Sequence, residues 1–393
     1  MPCQITANGL TRLLAILLLA GSAASGGTLQ EIAPTELQAE VKQLAGQALD
    51  ETGIHRLIEI DGQLAASDNP ANAETQQELL ISLAKSQNET ALEHVRSIFE
   101  NAPERRGSVA KALAASTSER PTDFQDWRYM VRSLSVVQGD EAVDVMKALQ
   151  RFRTRANKAQ WVRQVILAGL QLPPDQQSAA IGLLQHWTGV PREKSQLGDW
   201  SLEKYQELFA KEYPDEPEAT PPTDQPNRKW TLASLEVPVH DFKSSDALVQ
   251  QGAAVFQKAT CQKCHRRGTV GEALGPDLTT LGWRRQRREI LLATLYPSHE
   301  LNEEYPTVTV ELKSGKSLSG MLSKGSAETL AIVSNKGVRE EFPRTDVAQI
   351  VNQKVSNMPD GLLEPLTEEE IVSLIAYLTS VEGVPRPHAE EGL

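Results

Sequence analysis

Lys258-Ala259-Thr260-Cys261-Gln262-Lys263-Cys264-His265-Arg266-Arg267-Gly268 is the stretch on which the reading of this chain turns. Two cysteines two residues apart suit half of a zinc site, a dithiol redox pair, or a point of covalent attachment for haem. The rest of the sequence separates the three. The 393 residues contain three cysteines, and Cys3 lies within the first segment, 1–26, which reads as a leader. There Arg12 is followed by the short apolar run Leu13–Ala20 and the small residues Gly21–Gly26. That order is typical of an export signal, with cleavage expected after Ala24 or Gly26, and the run is too short to span a bilayer. A buried N-terminal helix is the alternative. Ser22 stands where a lipoprotein would need cysteine. The expectation is a periplasmic or otherwise exported protein with no transmembrane anchor after signal removal. Its mature form would keep only Cys261 and Cys264.

Two thiols make no disulfide framework. No second CxxC or HxxxH completes a zinc site, and the residues upstream of Cys261 look helical, whereas a thioredoxin-like pair follows a strand. Haem attachment needs nothing more: two thiols bond the vinyl groups, and the adjacent His265 ligates the iron. One covalent haem c is therefore expected. A formal charge of −12 excludes a broadly basic surface for nucleic acid, and 40% hydrophobic content over this length suits two or three domains.

The fold expected is mainly α. Residues 27–210 carry apolar residues at helical spacing, as in Ala91, Val95, Ile98 and Phe99, or Val162, Val165, Ile166 and Gly169. Helix centres fall near 80, 95, 112, 130, 146, 165 and 182. Pairs recur every ~35 residues, which suits a HEAT-like α-solenoid, with an irregular bundle as the alternative. Residues 211–242 form a Pro-rich acidic linker and lead-in, with five prolines between Pro214 and Pro226. From 243 to 381 the chain is helical again, except for β-type runs at 307–312, 317–322, 329–333, 338–342 and 347–351. These predict a small antiparallel insertion over about 305–351, as a meander or a partly closed barrel. Thr367 to Glu370 is a capping box before a last helix, and 382–393 form a tail.

A covalent haem needs a second axial ligand. Met358, His299, Met321 and an open position compete for that role. Met358 stands in the turn-rich loop Ser356-Asn357-Met358-Pro359-Asp360-Gly361, where a thioether has little packing role and Pro359 stiffens its approach. Met321 reads as core filler in a strand, and His299 as a surface residue at a helix end. Arg284, Arg285, Arg287 and Arg288 crowd the first turns of a helix expected to start near Arg284, against the macrodipole. A haem propionate, an acidic partner or plain solvation could account for them. Trp283 reads either as a propionate donor or as core.

The stretch from about 245 to 381 resembles class I-type cytochromes c, and more closely a haem-binding domain of the planctomycete and verrucomicrobial type. The matching residues are Gly252–Phe256, Cys261–His265, Gly275–Thr279, Leu291-Leu292, Tyr296–Ser298, Tyr305, Met358–Leu362 and Leu366-Thr367 to Tyr377-Leu378. The resemblance implies His265 as proximal and Met358 as distal ligand. It also implies the Pro276 carbonyl as acceptor for the other ring N–H of His265. Phe256, Leu278 and Tyr377 would support the pocket, with the first and last helices crossing at Gly252. Trp283, Arg284 and Arg285 are the candidates for propionate or partner contacts.

The function this implies is one-electron transfer with a redox partner protein, such as a dehydrogenase or terminal acceptor, docked by the helical array. It is a carrier's role rather than substrate chemistry. Two alternatives stay open. One is a sensor or peroxidase-like haem with a displaceable sixth ligand. The other is a helical scaffold in which haem is structural. His55, His94, His186, His240 and His388 show no ligand spacing and read as structural or surface residues.

Overall fold

A computed structural model describes residues 34–385, apart from 68, 119–120, 122, 157, 192–197 and 225. The expected signal segment, 1–26, and the tail beyond 385 lie outside these residues. Among them stand fifteen α-helices and one five-stranded antiparallel sheet. No helix there is long and apolar enough to cross a membrane.

The first part is a run of short helices: α1 (Pro34–Ala45), α2 (Glu51–Ala66), α3 (Ala73–Lys85), α4 (Glu89–Asn101), α5 (Arg106–Ser116), α6 (Phe124–Arg132), α7 (Gly139–Leu149), α8 (Ala159–Leu170), α9 (Ser178–Thr188) and α10 (Leu202–Glu212). Each expected centre falls inside one of α3 to α9. The local causes are ordinary. In α4, Ala91, Val95, Ile98 and Phe99 are buried on one stripe, and the Asn88 side chain caps the N–H of Ala91. α9 stops at Gly189, whose φ of +71 suits glycine. One apolar core runs from Leu37 to Ala219.

A second core gathers α11 (Leu232–Asp241), α12 (Asp246–Lys258), α13 (Leu281–Arg284), α14 (Arg287–Leu295) and α15 (Glu368–Thr379). α12 and α15 cross at Gly252, where a Cβ would lie 1.9 Å from the Ser373 carbonyl oxygen and 2.6 Å from Tyr377 Cβ. Only glycine fits that crossing. The rings of Phe256 and Tyr377 meet at 5.6 Å beside it. The capping box of Thr367 and Glu370 opens α15.

Two expectations are corrected. The stretch 211–242 is not wholly linker: Ala219 is buried in the first core, and Leu235 and Val239 of α11 are buried in the second. Pro238 inside α11 disguised that helix, although Thr231 and Ser234 form its capping box. The helix expected from Arg284 is really two, broken at Arg285 and Gln286. Arg284 and Arg285 thus sit at a C-terminal end, where cations are favoured. At the start of α14, Glu289 reaches back to the Gln286 N–H and offsets the remaining positive charge.

The sheet comprises β1 (Thr307–Leu312), β2 (Ser317–Lys324), β3 (Thr329–Val333), β4 (Arg339–Pro343) and β5 (Val347–Asn352), in the order β4-β3-β2-β1-β5. β4 and β5 are its two edges, so it is open rather than barrel-like. Val308, Val310, Ile332 and Phe342 form its small core.

Polar contacts join the two helical cores. Buried Arg106 donates to the carbonyls of Trp283 and Arg284. Gln286 Nε2 donates to the Pro103 carbonyl at 2.6 Å, and the Arg287 N–H to Glu104 at 3.0 Å. Ser135 bonds Glu289 at 3.3 Å.

Candidate functional site

The motif begins where α12 ends. Thr260 adopts φ +62, a left-handed conformation that costs a β-branched residue about 1–2 kcal/mol, and so turns the chain sharply. A 3-10 turn over Cys261–Lys263 follows, and the His265 N–H closes it on the Cys261 carbonyl at 2.9 Å. The chain then folds back on itself. The N–H groups of Leu274 and Gly275 donate to the Cys264 carbonyl at 3.0 and 2.7 Å, and that of Glu272 donates to Gln262. Close approach requires glycine at 271, where a Cβ would lie 2.2 Å from the His265 carbonyl oxygen, and is tight at Gly275, where one would lie 3.0 Å from its Cε1.

His265 Nδ1 lies 2.9 Å from the Pro276 carbonyl oxygen. A carbonyl only accepts, so the ring proton sits on Nδ1 and the Nε2 lone pair is left for another partner. Burial holds this imidazole below its ordinary pKa, with the Pro276 bond opposing in part, so the ring is neutral at pH 7. Burial also pushes the Cys261 thiol up to about 11 and raises Cys264. A redox dithiol needs a depressed pKa, and this pair has the opposite. Among the described residues, no group of three or more His, Cys, Asp or Glu side chains is gathered to hold a metal ion.

Met358 is half-buried and joins none of the three apolar clusters. Polar bonds place its loop instead. The Met358 N–H donates to Ser356 Oγ, and the Ser356 N–H donates to Ser298 Oγ, both at 3.1 Å. Arg228 pairs with Asp360 at 3.4 Å. Its competitors are differently placed. His299 Nδ1 accepts from Arg163 of α8 at 3.4 Å, and burial together with that cation brings its pKa down to about 4. It is an interface residue, not the surface group expected. Met321 is half-buried opposite Thr307 and Val333, and like Met358 it joins no apolar cluster, so it is not core filler.

Phe256 and Tyr377 belong to the second core, with half-buried Leu278 at its margin. Arg267 lies over the Tyr377 ring at 4.0 Å and donates to the Ser380 carbonyl at 2.7 Å. Trp283, Arg284 and Arg285 all have partners within the chain. Trp283 Nε1 donates to Val384, Arg284 to the Asp277 carbonyl, and Arg285 to Glu289 and Glu300. Two surface hollows of about 410 and 380 Å3 are lined by residues such as Asp144 and Lys147, and Glu51 and Arg56, and neither includes the motif.

Sequence reasoning missed Arg106 and Asn357 as contact residues. Neither role has a local signature, since Trp283 and Arg284, which Arg106 bonds, and Val333, which Asn357 bonds, lie far off in the chain. No family model and no curated protein matches this chain.

Proposed function

We propose that the chain is an exported c-type cytochrome of the planctomycete and verrucomicrobial type, working as a one-electron carrier. The observation that carries this reading is the His265–Pro276 bond beside two neutral thiols, within a loop that Gly271 allows to lie against the His265 carbonyl and Gly275 against its imidazole. Cys261 and Cys264 would hold the haem covalently, and His265 and Met358 would ligate its iron. When bound, the haem supplies reversible ferrous–ferric exchange. The Pro276 carbonyl fixes the tautomer and orientation of His265. The Gly252 crossing and the Phe256–Tyr377 contact close the helical core behind the motif and keep water out.

The helical part would be a HEAT-like array. One rim of it already meets the C-terminal half through Pro103–Arg106, Ser135 and Arg163, recurring about thirty residues apart as helix pairs would place them. Its other faces would receive the redox partner. A second reading, haem with a displaceable sixth ligand, is favoured by the absence of Met358 from every apolar cluster.

Expression with a periplasmic haem-maturation system tests both. The mass should exceed that of the processed polypeptide by one haem, and Cys261→Ser/Cys264→Ser should be colourless. The weak long-wavelength sulfur-to-iron band of the ferric protein should vanish in Met358→Ala and persist in His299→Ala. A colourless wild type overturns the proposal, and a loaded wild type without the band favours the second reading.

A further inference from the structure

The residue before Met358 is anchored in the sheet rather than in the helices. Asn357 is 8% exposed, and its Nδ2 donates to the main-chain carbonyl oxygen of Val333, the last residue of β3, at 3.2 Å. That oxygen is uncovered because position 320 in β2 is glycine: a Cβ there would lie 2.2 Å from it. The other side of the loop is tied to the segment after α14 through the Ser356 N–H and Ser298 Oγ. Met358 joins none of the three apolar clusters, and these polar bonds place the loop that carries it.

We propose that Asn357 is a positioning residue that couples the five-stranded insertion to Met358, so that the sheet sets how firmly the thioether is held at the iron. The inference rests on the haem reading and deepens it. Breaking the bond removes the side-chain tie between the loop and the end of β3 and frees the loop on one side. The loss of one buried amide–carbonyl bond corresponds to about a tenfold rise in the population with the thioether away from the metal. The insertion thereby becomes a control on ligation, separate from the helices that enclose the motif.

The test uses the full-length, haem-loaded protein with Asn357→Leu, Asn357→Ser and Asn357→Gln. The first two cannot donate to Val333, by chemistry and by length, while the third keeps an amide donor. The readouts are the ferric sulfur-to-iron band and the rate at which the ferrous protein binds carbon monoxide. Asn357→Leu and Asn357→Ser should keep covalent haem, lose band intensity, and bind carbon monoxide about tenfold faster. Asn357→Gln should stay nearer the wild type, and Met321→Leu should match it. An unchanged band and rate in loaded Asn357→Leu or Asn357→Ser overturns the coupling while leaving the haem reading intact. A loaded wild type without the band removes Met358 as ligand, and the coupling with it. A colourless wild type overturns the haem reading itself.

Discussion

The guanidinium of Arg106 donates to the main-chain carbonyl of Arg284 at 2.5 Å, across 178 residues of sequence. The same group bonds the carbonyls of Trp283 and Phe99 and stacks over the Phe99 ring at 5.0 Å. Arg284 in turn donates to the Asp277 carbonyl, one residue beyond the acceptor that holds His265. The helical array therefore grips the back of the candidate site.

Arg106→Ala should cost about 2–4 kcal/mol, because it leaves three carbonyls without their charged donor at a buried junction. Urea titration would measure it, and amide exchange should show faster opening at 283–286. Arg106→Lys should recover little, since one ammonium cannot span the same three acceptors. Wild-type stability in both variants would show that the junction is incidental.

Two glycines make opposite predictions. Gly252→Ala must push apart α12 and α15, because its Cβ would meet backbone at 1.9 Å; a loss of about 3 kcal/mol or failure to fold is expected. Gly62→Ala, in α2 with nothing within 4 Å of the added Cβ, should gain about 0.5–1 kcal/mol. Denaturation midpoints of the two variants would check both signs.

His299 should make the junction acid-sensitive. Its folded pKa is lowered to about 4 from 6.5, by burial first and by Arg163 second, with Glu300 partly offsetting. Between those values the unfolded chain binds the extra proton. Its share of stability is thus full above pH 6.5 and falls progressively as pH drops toward 4. His299→Gln, which keeps an acceptor for Arg163 but does not titrate there, should flatten the stability curve across this window. Parallel wild-type and variant curves would contradict this.

Local pattern made much of the fold legible. The Thr307–Leu312 alternation and the Gly315 turn located β1 and β2, and the Thr367 and Glu370 pair marked the start of α15. Apolar periodicity placed α3 to α9, most plainly in α4, where Ala91, Val95, Ile98 and Phe99 form the buried stripe. Pro238 hid α11, because an internal proline normally ends a helix. The arginine cluster was misread because the break at Gln286, which reverses the sign of the dipole effect on Arg284 and Arg285, has no proline or glycine to announce it. In the site, the motif itself was local and readable. Its long-range supports, Arg106 to Arg284 and Asn357 to Val333, follow only from tertiary folding.

β1 and β5, the first and last strands, lie side by side, and the Gln353 N–H meets the Thr307 carbonyl at 2.8 Å. The polypeptide thus leaves the helical scaffold and rejoins it at neighbouring points, as a grafted cassette would. Evolution can lengthen or trade such a cassette without shifting α14 against α15. Variation there should concentrate in the outer hairpins and spare Gly320, which leaves room beside the Val333 carbonyl that faces Asn357.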